Sequence, residues 1–198
     1  MKMNDLYPDR SQEIILICKR VVDRNLTVSS GGNISARLAD GNICITPLKG
    51  NRSLADLRES DLSVVDTAGN VLRGSRPSNE LPMHLAIYSV EDEVKFIIHA
   101  HPPLATAYSS EKMLPMGTMV ESMRLKMAIV EADAPGSQEL AEKVAMEVKR
   151  GANAVLLESH GVVILASDAG ESLMILEELE SACRTDLIRR ILRTGCSK

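Results

Sequence analysis

The chain has 198 residues, 44% apolar and 2% aromatic, with a net charge of −4. That is enough apolar material for one domain with a sizeable core, built from Leu, Ile, Val, Ala and Met because there is one Phe and no Trp. Dispersed Lys and Arg and the lack of aromatic stacking platforms argue against a nucleic-acid partner, and no apolar run reaches the roughly 18 residues of a membrane span. The N-terminal "MKMNDLYPDR" has no apolar signal core, so a soluble cytoplasmic protein with no membrane partner is expected. Cys18, Cys44, Cys183 and Cys196 are scattered without a CxxC pair, which reads as ordinary thiols in a reducing compartment.

In chain order, Ser11 to Asn25 carries Ile14, Ile15, Cys18, Val21 and Val22 at helical spacing, with Asp9 or Ser11 as cap. "SSGGNISAR" is a glycine turn running into a short strand, and "NICITP" is a second strand closed by Pro47. "DLSVVDTAGNVLR" reads as a hairpin turning at Thr67-Ala68-Gly69-Asn70. "SNELPMHLAIYSV" is a helix capped by Ser78 or Asn79, with Pro82 in its first turn. "VKFIIHAHPP" is a buried strand that Pro102 and Pro103 terminate, and "PLATAYSS" is a short helix after it. "MAIVEA" is a strand. A helix then runs from a Ser137 cap to a Gly151 stop. "NAVLLESHGVVILAS" is a strand pair turning at His160-Gly161, and Ser167 caps a final helix from Asp168 to Arg193. With no repeat and no linker, residues 1–198 form a single α/β domain with a mixed, largely antiparallel sheet.

His99 and His101 are two residues apart in a strand, so both imidazoles point to the same face. His160 interrupts a second apolar strand at a glycine turn, where packing does not explain it. Three imidazoles with one open position suit a catalytic zinc site. The bland alternative is a set of hydrogen-bonded core histidines. His84 lies four residues after Glu80 on one helix face. A hydrogen bond or packing contact accounts for it better than metal ligation. Glu80 stands in the first turn of its helix, where a carboxylate gains from the helix dipole and can also serve as acid/base beside a metal. Ser30, Gly31, Gly32 and Asn33 offer backbone N–H groups and small side chains suited to an anion, or simply form a tight bend.

The ordered series SSGGNISAR, ITP, RPSNELPMH, IIHAHPPLATA, APGSQELAEKV and LLESHGVV, followed by a Glu- and Leu-rich helix, resembles the class II aldolase/adducin family. Within that family it is similar to the L-fuculose-1-phosphate aldolase group, over roughly residues 11 to 190. The resemblance implies a layered α/β/α fold, a zinc ion and a homotetramer with active sites between subunits. It implies His99, His101 and His160 as zinc ligands and Glu80 as the catalytic acid/base. Gly32, Asn33 and Ser78, with Ser30 and Asn79 beside them, fall where the family holds the substrate phosphate. The activity implied is cleavage of a phosphorylated ketose to dihydroxyacetone phosphate and a short aldehyde through a metal-stabilised enediolate.

The chain departs from the family pattern at four places. Leu48 and Lys49 replace the small residue and Gly that usually follow ITP, and Lys49 is the expected substitute phosphate contact. Asn79 replaces a Ser. Met119 stands where a proton-donating Tyr is often found, and the tail "RTGCSK" lacks the family's aromatic. Tyr108 lies on the helix after the histidines and is given no catalytic role. Two further function classes stay open. One is a related metal-dependent 4-epimerase or a sugar-acid phosphate decarboxylase, the latter with Lys49 or Arg124 as carboxylate-binding cation. The other is a non-catalytic adducin-like scaffold, which would have no use for three histidines and Glu80.

Overall fold

The computed structural model describes residues 8–28, 30–48, 50–116 and 121–195. Its core is an eight-stranded mixed sheet in the order β4-β3-β2-β1-β5-β8-β7-β6. The strands are β1 (Asn33–Arg37), β2 (Ile43–Ile45), β3 (Ser63–Val65), β4 (Val71–Arg73), β5 (Phe96–Ala100), β6 (Met127–Val130), β7 (Ala154–Leu157) and β8 (Gly161–Ala166). Only the β6–β7 pair is parallel. Five helices cover the sheet: α1 (Pro8–Asp23), α2 (Leu81–Val90), α3 (Pro103–Ser110), α4 (Gln138–Lys149) and α5 (Ala169–Gly195).

Strand alternation separates two apolar clusters. On one face Ile34, Ala36, Phe96, Ile98, Val162 and Ile164 pack with residues of α1, α3 and α5. On the other face Ile43, Ile45, Ile97, Val163 and Leu165 pack with Met83, Ile87 and Tyr88 of α2 and Leu140, Val144 and Val148 of α4. The result is the expected α/β/α layering. β5 lies near the centre, antiparallel to both neighbours, with His99 opposite Asn33 on one side and Val163 on the other.

Element boundaries differ from the sequence reading at the caps. α1 begins at Pro8, where the missing N–H costs nothing. Ser11 is therefore inside the helix, and its hydroxyl donates to Glu59 at 2.9 Å. Asn25, at φ 56, ends α1, with Leu26 N–H donating back to Val21 O at 2.8 Å. α2 starts one or two residues later than expected, with Glu80 itself at the cap position. Ser78 Oγ accepts the Glu80 N–H at 3.3 Å, inside the turn that leads into the helix. α5 is capped by Asp168, which accepts the Glu171 N–H at 2.8 Å, while Ser167 bonds to the Glu171 carboxylate. The Ser137 cap of α4 is as expected, accepting from Leu140 N–H at 3.1 Å. Three short 3-10 turns, at Leu54–Asp56, Glu59–Asp61 and Glu121–Arg124, carry no periodic signal and escape the sequence reading. Cys18, Cys44 and Cys183 are buried and form no disulfide among the described residues, and Cys196 lies outside them.

Candidate metal centre and pocket

The C-terminal end of β5 and the start of β8 meet at one place because the two strands run antiparallel. His99 therefore reaches the same point as His160, which sits in the tight turn joining β7 to β8. Ser159 adopts a left-handed φ of 54° in that turn, and His160 N–H donates to Leu157 O at 3.1 Å. A non-glycine residue held at positive φ marks a turn whose shape the surroundings dictate. Gly161 follows at φ +147, and a Cβ there would lie 2.5 Å from both Ala100 O and His101 Cδ2. Only glycine lets the turn come this close to the histidine strand.

Ring nitrogens of His99, His101 and His160 all lie within 4.8 Å of one another. Their ring centroids are 4.8 to 5.3 Å apart. His99 is fully buried, and its Nδ1–H donates to Val162 O at 3.0 Å, so Nε2 keeps its lone pair for a ligand. His101 Nε2 stands 3.1 Å from that atom. Burial lowers the pKa of His160 against the opposing pull of Glu80 and favours the neutral, ligand-competent imidazole.

Glu80 completes the cluster. Its Oε2 lies 3.2 Å from His99 Nε2 and its Oε1 3.3 Å from His160 Nε2. Burial alone would raise its pKa, but His99, His160 and the Asn33 amide outweigh that and hold the carboxyl well below its usual range. Two buried polar atoms in this cluster, Glu80 Oε1 and His160 Nδ1, have no hydrogen-bond partner. Buried polar atoms are ordinarily satisfied, so this unfinished set fits a cation: three neutral nitrogen donors and a carboxylate in a site otherwise starved of partners.

Through His101 the cluster borders a pocket of about 290 Å³. Ser30, Gly32, Asn33, Ser78 and Asn79 all line it, with Glu80 and His101 at its base. Three segments are brought together here by hydrogen bonds. Gly32, at φ +75, sits so close to β5 that a Cβ would meet His99 O at 2.4 Å. Ser78 N–H donates to Thr46 O at 3.1 Å, and Thr46 N–H to Ile34 O at 3.0 Å. The turn before α2 is thus stitched to the end of β2 and through it to β1. Leu48 and Gly50 line the pocket on either side of Lys49, which itself lies outside the described residues, as does Met119.

Several residues weighed from sequence fall elsewhere. His84 is not among the clustered ligand candidates; its ring bonds to Ser35 and Asn33. The Asn33 side chain is turned toward Glu80 and His84, so the part of Asn33 left for an anion is its backbone. Arg124 lies near Glu178 and Met174 of α5 and is not among the pocket residues. Tyr108 is buried and donates to Asp186 at 2.9 Å, consistent with giving it no catalytic role. The sequence reading missed Ser35 and Tyr88, which join His84 behind the pocket. A polar residue at the middle of an apolar strand is the one signal that could have marked Ser35.

Comparison with known proteins supplies the family. The family model for the class II aldolase and adducin N-terminal domain matches residues 12–187. An L-fuculose phosphate aldolase from Methanococcus maripaludis is 37% identical over 184 residues, covering 91% of this chain and 98% of the relative. A 3-oxo-tetronate 4-phosphate decarboxylase from Haemophilus influenzae is 37% identical over 189 residues, covering 92% and 88%. A solved L-fuculose 1-phosphate aldolase superposes with a TM-score of 0.83 at 32% identity, covering 93% of this chain and 87% of that one.

Proposed function

Because the chain belongs to the class II aldolase and adducin family, whose members with the matching motifs are metal-dependent lyases, we propose that it is a zinc-dependent aldolase. It cleaves a phosphorylated ketose of the L-fuculose 1-phosphate type to dihydroxyacetone phosphate and a short aldehyde. The observation that carries this reading is the meeting of His99, His101, His160 and Glu80 beside a pocket that His101 and Glu80 line together with two small polar segments.

A divalent ion held by the three histidines supplies Lewis-acid stabilisation of the charge that builds on the substrate oxygens as the carbon–carbon bond breaks. Glu80 carries the proton traffic. It is one rotation-locked carboxylate, with Oε2 tied to Asn33 at 2.7 Å and Oε1 without a hydrogen bond. Once Oε1 has taken up a proton from solvent, Glu80 passes it to the enediolate carbon, completing dihydroxyacetone phosphate and returning to the carboxylate. Gly32 and the Asn33 backbone, with Ser30, Ser78 and Asn79, bind the phosphate beside the turn that starts α2. Lys49 adds a flexible point charge between Leu48 and Gly50.

One observation favours decarboxylation of a phosphorylated 3-oxo sugar acid as a second reading. Apart from His101, Glu80 is the only acid/base side chain among the described pocket residues. Retro-aldol cleavage needs a second group to take the proton from the hydroxyl that becomes the aldehyde. Loss of CO₂ generates the same enediolate without that step. Relatives carry both activities in their names. The test is zinc-loaded protein offered a panel of ketose 1-phosphates and 3-oxo sugar-acid phosphates, with aldehyde and CO₂ measured in parallel. Aldehyde release supports the aldolase, CO₂ alone supports the second reading, and neither product with full metal occupancy returns the chain to the scaffold class.

The assembly belongs to the proposal too. Leu187, Ile188, Ile191 and Leu192 expose 38 to 63% of their surface along the end of α5. Such an apolar stripe supports packing between copies, as in the expected homotetramer. Sedimentation of the purified protein measures it directly. The three buried thiols support a reducing, cytoplasmic setting.

A further inference from the structure

His84 belongs to the motif that marks the family, yet the chemistry above leaves it unused. It is fully buried on α2 and packs over β1. Its Nδ1 lies 2.7 Å from Ser35 Oγ and its Nε2 2.5 Å from Asn33 Oδ1. Ser35 Oγ is 2.9 Å from the Tyr88 hydroxyl, and Asn33 Nδ2 donates to Glu80 Oε2 at 2.7 Å. Five side chains, from Tyr88 to Glu80, thus form one unbroken buried row.

The direction of every hydrogen bond in the row follows from its end. An ionised carboxylate only accepts, so Asn33 presents its NH₂ to Glu80 and its carbonyl oxygen to His84. That oxygen accepts, so His84 Nε2 carries hydrogen. Burial pushes the His84 pKa down to about 3 against the opposing pull of Glu80, so the ring is neutral and Nδ1 is bare. Ser35 therefore donates to Nδ1, and its oxygen accepts from Tyr88. All four bonds point toward Glu80, an arrangement in which each bond polarises the next. The row is no proton wire, because an amide sits between the imidazole and the carboxylate.

We propose that His84 is a positioning residue for the reaction: through Asn33 it clamps Glu80 Oε2, so that Oε1, beside His160, is the oxygen left without a hydrogen bond to carry the proton. The proposal rests on Glu80 being the acid/base. It predicts that His84 sets turnover rather than substrate or metal affinity, since His84, Ser35 and Tyr88 are not among the pocket residues and reach Glu80 only through the Asn33 side chain. A histidine that merely filled the core would act on stability alone.

Two experiments decide it. Long-range proton–nitrogen NMR on the metal-free wild-type protein should show a neutral His84 ring with hydrogen on Nε2 and a bare Nδ1. A charged ring or the Nδ1–H tautomer would overturn the proposal, and this result needs no variant. In kinetics, His84→Phe should lower kcat about 10–100-fold, with KM and bound metal little changed. His84→Gln, which keeps an N–H at the reach of Asn33, should recover part of the loss, and Tyr88→Phe, at the far end, should cost less than either. Wild-type kcat in a folded His84→Phe protein would overturn the proposal; if that protein does not fold, the tautomer decides. Glu80→Gln separates the two layers. Full turnover there removes the acid/base reading itself, whereas a large loss there with none in His84→Phe removes only the positioning role.

Discussion

Two buried acidic centres lie on opposite faces of the same sheet, and they are built in opposite ways. On the α5 side, Asp186 is fully buried and accepts from the Tyr108 hydroxyl at 2.9 Å, from Arg189 at 2.5 Å and from Arg190 at 2.7 Å. Nearby Glu180 accepts the N–H groups of Leu104 and Ala105 at 3.0 and 2.9 Å, closing the start of α3. Every demand of these carboxylates is met within the chain. On the α2 side, Glu80 has one oxygen satisfied and one bare, and beside it His160 Nδ1 is also without a hydrogen bond. Burial of an acid thus says little about its purpose. What separates a structural carboxylate from a reactive one here is whether the protein finishes satisfying it.

The comparison can be broken from either side. The largest effect should come from His160→Ala. Bound metal, measured by plasma emission after dialysis, should fall from about one per chain to background, and turnover should vanish while circular dichroism keeps its native shape. Next is Glu80→Gln, which should retain fold and metal yet slow turnover on the order of 10²–10⁴-fold; steady-state rates on the best substrate check it. On the structural side, Asp186→Asn should leave kcat unchanged and lower stability in urea by about 1–2 kcal/mol, because it leaves two arginines unpaired of which Arg190 is half in solvent.

The smallest effect is a pH signature of the same residue. Burial raises the pKa of Asp186, but hydrogen bonds from Arg189, Arg190 and Tyr108 outweigh it and leave the carboxyl at about 2. A depressed carboxylate stabilises the fold above its unfolded pKa of about 4 and loses that contribution as pH falls toward 2. The stability difference between wild type and Asp186→Asn should therefore shrink between about pH 4 and pH 2. Acid unfolding of the two proteins in parallel measures it, and a difference that stays constant through this window would show the aspartate is not charged in the native state.

What the sequence made legible was local. His99 and His101 could be assigned to one face because the strand period is two, and His160 stood out because a turn tip has no packing use for an imidazole. The two-sided sheet showed in apolar runs such as that around Phe96–Ala100. The row from Tyr88 to Glu80 was not legible. Its partners are separated by 47 to 53 positions and meet only because α2 lies over β1. The caps failed for a related reason. Ser78 and Glu80 compete for the start of α2, and the bridge between Pro47 and Pro77 holds Ser78 back in the preceding turn. Propensity favours serine at the cap, and tertiary contact overrides it. The 3-10 turns at Leu54 and Glu59 are too short to show a period.

The antiparallel docking of β8 against β5 has a consequence for how the chain acquires its chemistry over time. His99 and His101 are adjacent in the chain, but His160 reaches them only when the pairs Phe96–Ala166 through Ala100–Val162 have zipped. A slip of one residue in that register would turn His99 to the opposite face. The three imidazoles proposed to hold an ion therefore come together only with a long-range strand pairing of the kind that closes slowly. An added divalent cation then selects the correctly paired sheet from its slipped competitors. The ion's capture rate in a stopped-flow refolding experiment becomes a clock for that single docking event.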